Sequence, residues 1–262
     1  MHQGEDDLRP TSSRLRVAGD PEPVGAQNEA GGSNLVLIGD HAGRAIPARL
    51  GDLGLCAADL DRHIAWDIGV AGLGAALSRK LDAVFIQQRF SRLVIDCNRA
   101  PGVGGSIAAV SDGSVVPGNQ TLGPQDRRAR VEEVFQPYQD RIAQVLDDRQ
   151  ARRQPTILVS LHSFTPSLGG APRPWRFGVL HRGDSAFSRA VLAVLRADWA
   201  EEAGDNQPYA MDGIDYTIPF HADARGLDYL ELEVRQDLIA TAEGQAEMAG
   251  VVASVLSRAL AL

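Results

Sequence analysis

The chain reads as an α/β protein, folded as one three-layer domain, and three observations predict this. Short apolar runs of strand length recur along it, as in Leu35-Val36-Leu37-Ile38 and Thr156-Ile157-Leu158-Val159-Ser160-Leu161. Between them lie amphipathic stretches of helical period. Two of the runs, LVLIGDH and TILVSLH, end in a histidine, His41 and His162. In open α/β sheets, ligands bind outside the carboxyl ends of strands, so both imidazoles fall where a site is expected.

Residues 1–32 are polar, rich in Gly and Pro and without period, which predicts a flexible arm or a strap over the surface. Residues 33–262 form the single domain. After the first strand, a helix is expected from Ala57–Asp59 onward, with Ile64, Ile68, Leu73 and Leu77 near helical spacing. Ala83–Ile86 and Leu93–Asp96 read as two further strands. The glycine-rich stretch from Pro101 to Pro124 reads as a long loop, and such loops are often functional. Pro124 opens an amphipathic helix over Gln125–Arg152. Phe177–Leu180 is a strand, Ser185 caps a helix to about Ala203 with Gly204 ending it, Leu227–Val234 is a strand, and the final twenty residues form a closing helix.

Composition excludes several function classes. A net charge of −8 over 262 residues lacks the basic face that nucleic acid requires. It also means that an anionic ligand must be captured by a local arginine cluster. No apolar run reaches the ~18 residues of a membrane-spanning helix. The first residues lack an apolar signal core, so a cytoplasmic location is expected. Cys56 and Cys97 each sit in an apolar stretch and read as reduced, buried thiols. A serine hydrolase is disfavoured because no G-x-S-x-G elbow occurs. The oligomeric state is not legible.

Two strand-end histidines are a pair of good zinc ligands if the fold brings them together. The segment RHIAWDIG supplies two candidates for a third, His63 and Asp67, placed four apart and so on one face of the expected helix. Asp67 completes a His₂-carboxylate set, which leaves a position open for hydrolysis; His63 is the alternative, or orients Asp67. The strand LDYLELEVRQD alternates, with Leu230, Leu232 and Val234 on one face and Glu231, Glu233 and Arg235 on the other. If that second face is buried it holds a general base beside an anion-binding arginine; otherwise it is a solvated face. Arg89, Arg92 and Arg99 crowd around Asp96, a charge inside an apolar run that is expected to hold an arginine in place. Arg173 lies in a Gly/Pro-rich loop after His162, where loops shape specificity.

Taken together, GDHAGRAIP, HIAWDIG, FSRLVIDCNR, LHSFTPSLGG with RPW, DNQPY and LEVRQDLI resemble the N-formylglutamate amidohydrolase family, in order, from about residue 36 to 240. The resemblance implies a fold similar to zinc carboxypeptidases and aminoacylases, with a mixed sheet between helices. It implies that His41 is the first zinc ligand and His162 the last, and that Glu233 is the general base. It makes Asn98 and Arg99 similar to the carboxypeptidase pair that grips a substrate carboxylate. The sequence departs from zinc carboxypeptidases at one point: Arg44 stands three residues after His41, where they carry a glutamate ligand. Asp67 is therefore the expected carboxylate ligand.

The implied activity is metal-dependent hydrolysis of N-formyl-L-glutamate to formate and glutamate. Zinc is the expected ion, although histidine and carboxylate accept other divalent metals. The expected partner is thus a small anionic N-acyl amino acid. Glu233 moves the proton, Arg92 or Arg44 stabilises the oxyanion, and Arg99 and Arg173, with Arg44, Asn98 and Arg235, bind the substrate. Gly169-Gly170 suits a tight site for a small acyl group. The rival readings are a zinc deacylase or carboxypeptidase acting on another N-acyl amino acid or short peptide, and a non-catalytic binding protein on the same fold.

Overall fold

In a computed structural model, which describes residues 14–262, seven strands form one mixed sheet. In chain order they are β1 (Val24–Gln27), β2 (Leu35–Gly39), β3 (Val84–Gln88), β4 (Ile157–Phe164), β5 (Phe177–Leu180), β6 (Ala203–Asp205) and β7 (Asp228–Arg235). Their spatial order is β1-β3-β2-β4-β7-β5-β6. The centre, β3-β2-β4-β7, is parallel. β1 pairs antiparallel with β3, and β5 antiparallel with β7. The central strands are buried on both faces, which is why they read as continuous aliphatic runs.

The two faces are covered by different helices. On one side α1 (Val70–Leu81), α3 (Ala186–Trp199) and α5 (Ala242–Ala259) bury Leu73, Leu77, Val191, Leu195, Val252 and Leu256 against Leu37, Phe85, Leu161 and Leu232. On the other side lie α2 (Gln136–Ala151) and the short α4 (Thr217–Ala222), which bury Tyr138, Ile142 and Ile218 against Val36, Ile38, Val84 and Leu158. Ser185 Oγ accepts from Ser188 N at 3.0 Å, the cap expected for α3, an interaction of about 1 kcal/mol. Pro124 opens the α2 region as predicted, but the helix passes through a π turn at Val131–Phe135.

Several expectations are corrected. The arm expected over residues 1–32 lies outside the described residues up to residue 13, and Val24–Gln27 is a fixed edge strand rather than free chain. The helix from Ala57 stops at Leu60, and residues 61–69 are turns. Immediately before α1, Gly69 has φ +86°, and a Cβ there would lie 2.1 Å from Ile239 O, so only glycine fits the turn from which that helix starts. Leu93–Asp96 is not a strand. Val94 N donates to Ser91 O, and Asp96 Oδ1 accepts from Asn98 N, local bonds that replace a ladder. Gly204 lies inside β6 rather than ending α3, which stops at Ala200 with φ +46°. Cys56 is exposed, whereas Cys97 is buried as expected, and both are free.

Candidate active site

The parallel centre of the sheet delivers the chemistry to one edge. His41 follows β2 by two residues, and in the pairing of β4 with β7, His162 is the partner of Glu233 and Ser160 of Glu231. Leu230, Leu232 and Val234 turn into the core while Glu231 and Glu233 turn to the other face, as the alternation predicts. That face is not solvated: Glu231 and Glu233 are only 3% and 5% exposed.

His41, Asp67 and His162 each offer a ligand atom, and these atoms lie within 4.8 Å of one another. Asp67 arrives from the turn before α1, held by its backbone N donating to His41 O at 2.9 Å. His63, on the same turn, faces Asp112 at 3.5 Å instead. The two imidazoles are arranged alike. Nδ1 of His162 is 3.0 Å and Nδ1 of His41 is 3.6 Å from Asp67 Oδ2. Nε2 of His41 is 2.7 Å from Asp96 Oδ1. Nε2 of His162 is 2.9 Å from Ser160 Oγ, which donates to Asp40 Oδ2 at 3.0 Å. With a cation at the centre, the hydrogen of each ring would lie on Nε2, where Asp96 and Ser160 can accept it, and both Nδ1 lone pairs would face the same point as Asp67 Oδ2. His41 Nδ1 is buried and has no hydrogen-bond partner. Two imidazoles and a carboxylate around one point are a donor set that fits a divalent ion.

Charges set the local acidities. Burial opposes ionisation of Asp67, but His41 and His162 hold its carboxyl well below the usual range. Burial likewise works against Asp96, whose carboxyl Arg92 and His41 hold well down. Asp40, also buried, is lowered through His162 and Thr217. The other two carboxyls go the opposite way: burial pushes Glu233 up to about 7 and Glu231 up to about 8. Each has a buried Oε2 without a partner, which leaves Glu233 able to accept a proton near neutral pH.

These groups line a cavity of about 340 Å³, with Arg92, Asn98, Arg99, Thr165, Tyr209 and Asp215. Arg92 Nη2 donates to Asp96 Oδ2 at 2.6 Å, the role expected for Asp96, and Arg92 Nη1 lies 3.5 Å from Asp67 Oδ1. Arg99 touches Asp96 only through Nε, at 3.5 Å.

The remaining predicted residues lie elsewhere. Arg44 is half exposed, paired with Asp61 and stacked on Trp66 at 5.1 Å, and it does not line the cavity. Arg235 pairs with Asp237 at 2.8 Å and does not line it either. Asn98 lines the cavity, but its amide is occupied: Oδ1 accepts from Tyr216 N at 3.0 Å and Thr217 N at 2.9 Å, and Nδ2 donates to Asp215 Oδ1 at 3.2 Å. It fastens the loop that carries Tyr209 and Asp215. Arg173 sits behind the wall, donating to Tyr209 OH at 2.9 Å and Thr165 Oγ1 at 3.1 Å. Gly169-Gly170 is the exposed turn of a hairpin, away from the cavity.

Asp40 and Asp215 join the site without a role assigned from the sequence, while Glu231 lies on the face expected to carry a general base. Asp40 had a signal, a charge directly after a fully buried strand. Tyr209 closes the DNQPY stretch of the resemblance, and Asp215, on the irregular loop beyond it, had no signal.

The comparisons agree with this architecture. A crystal structure of the gene product Atu2144 from Agrobacterium tumefaciens superposes with a TM-score of 0.90 at 36% identity, covering 95% of this chain and 98% of that one. The N-formylglutamate amidohydrolase of Ralstonia eutropha JMP134 shares the fold, with a TM-score of 0.71 at 19% identity over 91% of this chain and 97% of its own. No curated protein sequence matches. The family model for N-formylglutamate amidohydrolase matches residues 33–240, and the chain belongs to that family.

Proposed function

We propose that the protein hydrolyses the amide bond of an N-acyl amino acid, with N-formyl-L-glutamate, giving formate and glutamate, as the best candidate. The observation that carries this reading is the convergence of His41 Nδ1, His162 Nδ1 and Asp67 Oδ2 beside the unpartnered Oε2 of Glu233. His41, Asp67 and His162 would hold a divalent ion, zinc first among candidates, which supplies a Lewis acid that polarises the amide carbonyl.

The chain's own residues do the rest. Asp96 and Asp40, the latter through Ser160, keep the hydrogen of each imidazole on Nε2 and fix both rings. Glu233 Oε2 accepts a proton from the attacking water and returns it to the leaving nitrogen as the carbon–nitrogen bond breaks. Arg92 lies beside the developing oxyanion; removing such a donor costs about 10²–10³ in turnover. Arg99, whose terminal nitrogens have no acceptor among the described residues, takes a substrate carboxylate.

A panel of formyl-, acetyl- and succinyl-glutamate, with the released amino acid measured, tests the reading. Fastest release from the formyl compound supports it. Release from none of them, by protein carrying a bound divalent metal, overturns it.

A further inference from the structure

The cleft does not end at Arg99. A second chamber of about 430 Å³ adjoins it, and the two share His63, Arg92, Asp96 and Arg99 in their linings. The far side of this chamber is the glycine-rich loop expected to be functional, including Gly104, Gly105, Ala108 and Val110. Its outer wall is held in place rather than loose: Arg62 Nη2 bonds Asp112 Oδ2 and Arg62 Nη1 bonds Ser114 Oγ, both at 2.6 Å. Asp112 also faces His63 at 3.5 Å. Two of the wall residues carry no side chain, and a Cβ built on Gly104 meets no atom within 4 Å.

The charge balance of the chamber favours an anion. Asp96 is committed to His41 and Arg92, and Asp112 to Arg62 and His63, while the terminal nitrogens of Arg99 have no protein acceptor among the described residues. Typical small-molecule sites span about 300–1,000 Å³. The first cavity alone is enough for one N-acyl amino acid, and the two together suit something of about twice that length.

We infer that the second chamber is a subsite for an acidic extension of the substrate, so that the enzyme acts on N-acyl glutamyl peptides as well as on the single amino acid. This rests on the amide-hydrolysis reading above. An additional glutamate, joined through either carboxyl of the first, consumes one of the first residue's carboxylates in the peptide bond and offers its own to Arg99 instead, with its remaining atoms in the second chamber.

The test compares N-formylglutamate with N-formyl-glutamyl-glutamate, in its α- and γ-linked forms, by formate release from the full chain in its metal-loaded state. At least one dipeptide is expected to be hydrolysed with a kcat/KM no lower than that of the short compound. Gly104→Phe adds bulk at a residue that lines the chamber and whose backbone accepts a side chain, and it should lower the dipeptide-to-monomer ratio of kcat/KM by about tenfold or more. Val110→Trp, at a 58% exposed position on the same rim, should shift the ratio in the same direction and covers the case in which the glycine variant does not fold. Hydrolysis of the short compound with both dipeptides refused, or a ratio unmoved by either variant, overturns the subsite while leaving the amide-hydrolysis reading intact. Hydrolysis of none of the compounds overturns the reading itself.

Discussion

Asp96 is shared between His41 and Arg92: its Oδ1 lies 2.7 Å from His41 Nε2 and its Oδ2 2.6 Å from Arg92 Nη2. One buried carboxylate thus orients an imidazole whose other nitrogen faces Asp67, and also the guanidinium beside it. Asp96→Asn keeps the shape but loses the charge that both partners lean on. Metal affinity, titrated with a competing chelator, should fall about 10–100-fold. An unchanged affinity would remove Asp96 from the support of the site.

Glu233→Gln is isosteric and leaves His41, Asp67 and His162 untouched. It should retain bound metal while turnover falls by about 10²–10⁴-fold. Burial raises the Glu233 carboxyl to about 7, and a nearby divalent cation favours the ionised form, so the acid limb of the wild-type kcat/KM profile should lie at or below that value. A variant with full turnover would exclude Glu233 as the base.

Asn98 acts through the loop it fastens. With Asn98→Ala, the amides of Tyr216 and Thr217 and the carboxylate of Asp215 lose their partner. Hydrogen exchange across residues 206–217 should accelerate and KM rise, with bound metal unchanged. Exchange as slow as in the wild type would contradict this role.

The fold was legible where the pattern is local. Continuous aliphatic runs marked β2 and β4, Ser185 marked a helix start, and the alternation of LELEV put Glu231 and Glu233 on one face. What failed depended on distant neighbours. The helix expected to carry both His63 and Asp67 is a run of turns in which Asp67 N is held by His41 O and His63 faces Asp112, although Asp67 joins the histidines as expected. Arg44 and Arg235 are as cationic as Arg92, and only the pairing with Asp61 and Asp237 withdraws them. No local pattern marked Asp215, because its loop is placed by Asn98 from more than a hundred residues earlier in the chain.

His221 offers a pH test away from the cleft. It is fully buried, its Nε2 donates to Gln139 Oε1 at 2.7 Å, and its Nδ1 is unpartnered. Burial, with Arg225 nearby, lowers its pKa to about 4. The unfolded chain then binds a proton below about 6.5 that the folded one refuses until about 4, so stability falls as pH falls through that window, by about 3 kcal/mol at most. His221→Gln should flatten the pH dependence of urea unfolding between those limits. An equally steep fall in the variant would assign the effect to other groups.

Whether His41, Asp67 and His162 hold the proposed ion can be measured directly, by atomic absorption on the purified protein. One divalent ion per chain is expected, lost in His41→Ala and in His162→Ala variants that still fold. A wild-type protein that binds no divalent metal, and releases formate at an undiminished rate in the presence of a strong chelator, would contradict the account at its centre.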